Sequence, residues 1–198
     1  MFDAILSILQ NEFHWSILET LAVIFSVIYV ILAAKENIWC WAAALFSVGL
    51  YIYICYQAKL YAETGLQAFY FIMAIYGYFS WSKNDNALII SEWSTNKHLI
   101  IILSATLITF LLGFIFSIYT DAKMPIVDSF TTVFSVFATF MVVKKILSNW
   151  LYFIVIDVIS IYLYYSRDLH LTSFLFLIYT LIAVFGFLKW NRILQKHE

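Results

Sequence analysis

Near the middle of a long apolar run, SNWLYFIVIDVISIYLYY (148–165), stands a single acid, Asp157. A carboxylate at bilayer depth is costly to hold, and membrane chains keep one where it meets a substrate, an ion or a partner group. On a helix, positions three, four and seven apart share a face. Trp150, Phe153, Asp157, Ser160 and Tyr164 therefore form one stripe. It offers two ring faces, an acid, a hydroxyl and a third ring, with Tyr164 near the end of the run, where a place in an interfacial aromatic belt accounts for it. Ring faces attract cations by roughly 0.5–2 kcal/mol each, and the carboxylate supplies a counter-charge, so the stripe suits a flat organic cation. The competing reading of Asp157 is a structural acid held by a neighbouring helix, or a carboxyl kept neutral by desolvation.

The other polar groups have plainer explanations beside any functional one. Gln67, inside the third apolar run, either touches substrate or bonds between helices. Asn37 and Asn149 stand where helices start and suit capping, with Asn37 kept as a substrate-site candidate beside Trp41. Glu19 and Asp128 lie about a turn inside helix starts, where the macrodipole favours an acid; gating is the functional alternative for both. Ser26 and Ser135 are small mid-helix residues that allow close packing, and Gly77 and Gly186 suggest close helix contacts. The histidines, His14, His98, His170 and His197, fall in links or tails without metal-site spacing. Cys40 and Cys55, fifteen residues apart on one helix, are roughly 22 Å apart at 1.5 Å per residue and cannot pair. No metal, cofactor or catalytic group is expected, and an intramembrane enzyme would need a second titratable group at the depth of Asp157.

These residues must be positioned by membrane helices. Of 198 residues 64% are hydrophobic and 12% charged, with a mean hydropathy of +0.91, against roughly 25% charged in a soluble domain. A net charge of −1 offers no basic surface for nucleic acid. The apolar runs are of helix-spanning length and too long for barrel strands. They predict seven spans, near 16–34, 38–57, 62–82, 99–119, 126–143, 148–165 and 171–190, with an interfacial segment at 1–15 and a tail at 191–198. With the N-terminus outside, Lys35, Lys83, Lys97, Lys144, Lys145, Lys189, Arg192 and Lys196 face the cytoplasm, against Lys59, Lys123 and Arg167 outside. That is the positive-inside pattern, and it sets Asp157 near the midplane.

The chain also repeats itself. A shift of 109 residues aligns Glu19–Trp81 with Asp128–Trp190 without a gap, and fourteen of the 63 pairs are identical, against roughly four or five expected by chance. Phe25-Ser26-Val27 meets Phe134-Ser135-Val136, Trp41 meets Trp150, Tyr70 meets Tyr179, Gly77 meets Gly186 and Trp81 meets Trp190. Asp157 meets Val48 and has no acidic counterpart. Three spans per unit with one between them predict a three-helix unit over 16–82, a loop and linker helix over 83–124 and a second unit over 125–190. The odd inserted helix makes the units parallel, a transporter architecture with the site where the units face each other.

The second unit, SNWLYFIVIDVISIYLYY followed by LTSFLFLIYTLIAVFGFLKW, resembles the Pnu family of vitamin transporters, the nicotinamide riboside transporter family. Asn37-Ile38-Trp39-Cys40-Trp41, Gly65-Leu66-Gln67-Ala68-Phe69-Tyr70 and Tyr76-Gly77-Tyr78-Phe79-Ser80-Trp81 carry the resemblance through the first unit. It implies an all-α, SWEET-like 3+1+3 facilitator of the bacterial inner membrane, trimeric, whose vitamin is trapped by a cytoplasmic kinase. Nicotinamide riboside members carry Trp-x-x-Trp-x-x-x-Asn where Trp150, Phe153 and Asp157 stand here. This departure, with TDAKMPIVDSFTT upstream, resembles the thiamine branch, so thiamine is the expected substrate, nicotinamide riboside the alternative and a SWEET-type sugar carrier a remoter one.

Overall fold

The computed structural model describes residues 17–57, 61–82, 89–120, 123–166 and 169–196. The expected segment at 1–15 lies outside them, as do Lys59, Lys83 and Arg167 of the charge pattern. Seven helices follow one another: α1 (Ile17–Ala34), α2 (Trp39–Gln57), α3 (Tyr61–Trp81), α4 (Thr95–Tyr119), α5 (Pro125–Val143), α6 (Asn149–Tyr165) and α7 (His170–Leu194). Five of them, α1, α2, α4, α5 and α7, are long and apolar enough to cross a membrane. Gln67 and Glu63 dilute the apolar character of α3, and α6 is 17 residues long.

The helices are continuous because proline is absent from their interiors; Pro125 stands at the start of α5, where its missing N–H costs no bond. Two helices exceed the sequence expectation. α4 begins at Thr95 instead of 99, with extended Ser94 as its N-cap residue, and α7 runs to Leu194 instead of 190.

Packing follows membrane rules. Ala22, Ala34, Ala105 and Ala138 are fully enclosed, while Leu107, Phe114, Leu181 and Phe46 face outward. Without a hydrophobic drive between helices in lipid, small residues that admit close approach occupy the contacts and large apolar ones meet the acyl chains. α4 illustrates it: Ala105, Thr109 and Gly113 form one buried stripe, and a Cβ on Gly113 would lie 2.9 Å from the Ile126 backbone of α5.

The helix contacts close into a ring. α1 touches α2, α2 touches α3, α3 touches α5, α5 touches α6, α6 touches α7, and α7 returns to α1; α4 lies outside the ring and packs along α5, with His98 near its start 3.1 Å from the Tyr152 hydroxyl of α6. The ring places α2 opposite α6. Its two seams are α1 with α7 and α3 with α5, and the chain offset of 109 residues carries each seam onto the other.

The turns at one end of the ring share an unusual backbone. Asn37 N–H donates to the Leu32 carbonyl, and Ile146 N–H to that of Met141. These are matching six-residue helix stops in which the left-handed position is held by Glu36 (φ 55°) and Lys145 (φ 50°). Glycine is the usual occupant; an L-residue there costs roughly 1–2 kcal/mol.

Candidate functional site

The ring encloses a cavity of about 670 Å³, within the range of small-molecule sites. It extends from Glu19, Cys55, Tyr164 and Thr172 at one end to Ala33, Trp41, Val142 and Trp150 at the other. α2 supplies Ala44, Ser47 and Val48 to one wall, and α6 supplies Phe153, Ile156 and Asp157 to the wall opposite. The 109-residue offset pairs these positions one for one, so a small, neutral wall faces a large one bearing an acid.

Asp157 is 5% exposed. No hydrogen bond to its carboxyl is found among the described residues, and Tyr179 is close enough to feel its charge. Helical spacing puts Trp150 and Phe153 on the same face, and both line the cavity with it. Tyr164 joins them and stacks on Phe176 with centroids 5.2 Å apart and planes 12° from parallel. An acid without a hydrogen-bonding partner among the described residues, lining a cavity together with ring faces, can attract a cation, since burial strengthens both attractions.

The seams carry a matched pair of polar contacts. The Ser26 hydroxyl donates to the Val23 carbonyl at 2.7 Å, which leaves its oxygen to accept from the Tyr179 hydroxyl at 2.5 Å. Tyr70 makes the corresponding hydrogen bond with Ser135. All four residues line the cavity. Sequence reading assigned the serines to packing and left the tyrosines out of the site; their identity across the 109-residue offset was the available signal.

Tryptophans close one end. Trp41 packs edge-on against Trp81 (5.3 Å, 85°), and Trp150 packs edge-on against Trp190 (5.4 Å, 88°). Trp81 and Trp190 meet across the ring at 6.2 Å. Each inner ring needs a glycine beside it: a Cβ on Gly186 would lie 2.7 Å from Trp150, and one on Gly77 would strike Trp41.

Of the remaining sequence candidates, Gln67 and Trp41 line the cavity, and so does Glu19 at the end opposite the tryptophans. Asn37 does not reach it. Its Oδ1 accepts the Trp39 N–H at 2.9 Å in the exposed α1–α2 turn, so its short side chain is spent on the start of α2. Asp128, in the first turn of α5, is also absent from the lining, and Ser160 is buried outside it. Cys40 and Cys55 are free and buried. No cluster of metal-ligating side chains occurs among the described residues.

Known proteins resemble this chain. The nicotinamide riboside transporter PnuC of Escherichia coli (strain K12) is 27% identical over 201 residues, covering 87% of this chain and 84% of the relative. PnuC of Neisseria mucosa is 21% identical, covering 95% and 76%, and the riboflavin/roseoflavin transporter RibM of Streptomyces davaonensis is 20% identical, covering 84% and 81%. A crystal structure of the vitamin B3 transporter PnuC superimposes with a TM-score of 0.74 at 20% identity, over 98% of this chain and 89% of that one, which establishes the shared fold. The nicotinamide mononucleotide transporter family profile matches residues 16–192. The chain belongs to that family, as a multi-pass membrane transporter of the PnuC type and not an enzyme.

Proposed function

We propose that this chain carries nicotinamide riboside across the bacterial inner membrane by facilitated diffusion. The observation that carries the reading is the unpartnered Asp157 among Trp150, Phe153 and Tyr164 in a cavity sized for a nucleoside. Nicotinamide riboside is an aromatic cation and meets that seat with its charged ring. The relatives described above are named for nicotinamide riboside or riboflavin, so nicotinamide riboside takes the place of thiamine, the substrate expected from the VIDVISIYLY segment. Thiamine shares the charge and the ring, which is why that segment could not separate the two.

The same reading takes the chain as two parallel units, 16–82 and 125–190, joined through 83–124 in the SWEET-like 3+1+3 manner. The place of α4 outside the ring, packed along α5, and the exchange of the two seams by one offset support it. The lysine-rich end with the α1–α2 and α5–α6 turns faces the cytoplasm, with the N-terminus outside. Trimeric assembly and trapping of the vitamin by a cytoplasmic kinase complete the proposal.

Equilibrium binding of labelled nicotinamide riboside, thiamine and riboflavin to the purified protein tests it. Saturable binding of the riboside alone, or at least tenfold tighter than the others, is expected; preferential binding of thiamine or riboflavin would overturn the assignment.

A further inference from the structure

Glu36 and Lys145 hold matching left-handed positions in the two turns at the tryptophan end, on opposite sides of the ring, and 109 residues separate them. Lys145 Nζ lies 3.1 Å from Glu36 Oε2, with both side chains mostly buried. The same ammonium sits 4.7 Å from the centroid of Trp81, the ring on which cavity-lining Trp41 rests. A left-handed backbone favours glycine, and a charged residue kept there at both turns implies that its side chain has a task.

The two turns are held differently. Ser91, in the link before α4, donates its N–H to the Lys145 carbonyl at 3.1 Å and accepts the Leu147 N–H at 2.9 Å. Glu92 Oε2 accepts from both the N–H and the hydroxyl of Ser148. The α5–α6 turn is therefore strapped to the link. Among the described residues the α1–α2 turn has no such strap to the link; apart from the Glu36–Lys145 pair, its hydrogen bonds are local, such as those of Asn37 to Leu32 and Trp39.

We infer that the Glu36–Lys145 ion pair is the latch of the inner gate. When it parts, the α1–α2 turn swings away from the strapped α5–α6 turn, Trp81 loses its cation, and the tryptophan floor opens to release the ligand. This rests on the transport reading for its direction, but not for its test. A pair this enclosed is costly to break by removing one partner, so it holds the closed state firmly while adding nothing to the open one.

Two native thiols report the gate. Cys40, four residues after Glu36, is fully buried behind the floor, and Cys55 lines the cavity toward its other end. Labelling by a bulky, polar maleimide is measured without substrate in Cys55→Ser and Cys40→Ser backgrounds. Glu36→Gln and Lys145→Gln should each raise the Cys40 rate about tenfold, a population shift in favour of the open floor, while the Cys55 rate stays level or falls. The double exchange Glu36→Lys with Lys145→Glu, and separately Lys145→Arg, should return Cys40 to slow labelling. Unchanged Cys40 rates in both neutral variants overturn the latch. So does a parallel rise at both thiols, which would mean a loosened fold, or fast labelling in Lys145→Arg, which keeps the charge. Because no substrate is present, the latch can fail while riboside binding stands, and the reverse.

Discussion

Asp157 on α6 and Val48 on α2 hold matching positions on opposite walls of one cavity. Their neighbours differ in the same sense: Phe153 faces Ala44 and Ile156 faces Ser47 across the 109-residue offset. Floor and seams are nearly symmetric and the two side walls are not. On the proposed function, a cationic ligand would meet its charge partner and its bulkiest apolar contacts on one side, with room on the other, which would favour a single orientation.

That asymmetry predicts a charge-specific effect of Asp157→Asn. Nicotinamide riboside is cationic, and its dihydro form is a neutral molecule of nearly the same shape. The unaltered protein should prefer the cation, and the amide variant should lose that preference by about tenfold, the equivalent of about 1.4 kcal/mol. Binding isotherms for the two forms measure it. Equal weakening of both would place Asp157 in the frame of the cavity and not on the ligand. The variant should also melt at a higher temperature, since an unpartnered buried carboxylate is replaced by a neutral group.

The glycines beneath the tryptophans predict a second result. Gly186→Ala places a methyl group 2.7 Å from Trp150, and relieving such overpacking costs about 1–3 kcal/mol. Thermal melting in detergent should fall, and Trp150→Phe in the same chain should recover part of the loss because the smaller ring vacates that space. Gly77→Ala with Trp41→Phe should behave alike, because Gly77 stands to Trp41 as Gly186 stands to Trp150.

The seam tyrosines predict an additive pair. Tyr179→Phe removes the hydroxyl that meets Ser26, and Tyr70→Phe the one that meets Ser135. Interhelical hydrogen bonds in membranes average about 0.6 kcal/mol. Each variant should lower stability by about that amount, and the double variant by about twice it, because the two seams are separate and share no partner. A double variant no worse than either single one would mean that the two seams open together.

Much of this was visible in the residues. Apolar run lengths predicted seven helices, and the stripe on the sixth run brought Trp150, Phe153 and Asp157 to one face, as the cavity lining has them. The ends of α4 and α7 were not legible, since Thr95–His98 and Asn191–Leu194 are too polar to read as membrane run yet continue the helical hydrogen bonding. The ring closure lay outside sequence reach because α1 with α7 and α3 with α5 are contacts between distant segments. Glu36 and Lys145 were hidden for a different reason. A left-handed stop announces itself in sequence through glycine, and here both stops carry charged residues that read as ordinary loop. The docking of Ser91 on Ile146 left no signal either, because a single bridge has no periodicity.

Asn37 separates the reading by residue type from the reading by geometry. Its type and its place beside Trp39 and Trp41 made it a candidate ligand contact, but its Oδ1 accepts the Trp39 N–H, one of the donors that the first turn of α2 leaves free. Removing such a cap costs about 1 kcal/mol, and the cavity lies beyond its reach. Asn37→Ala should therefore lower the melting temperature modestly and leave the riboside dissociation constant within about twofold, a difference of about 0.4 kcal/mol. Asn37→Asp should melt almost as the unaltered chain does, since aspartate caps as well as asparagine. Loss of binding in Asn37→Ala with an unchanged melting temperature would return the residue to the site and require the α1–α2 turn to fold inward when ligand arrives.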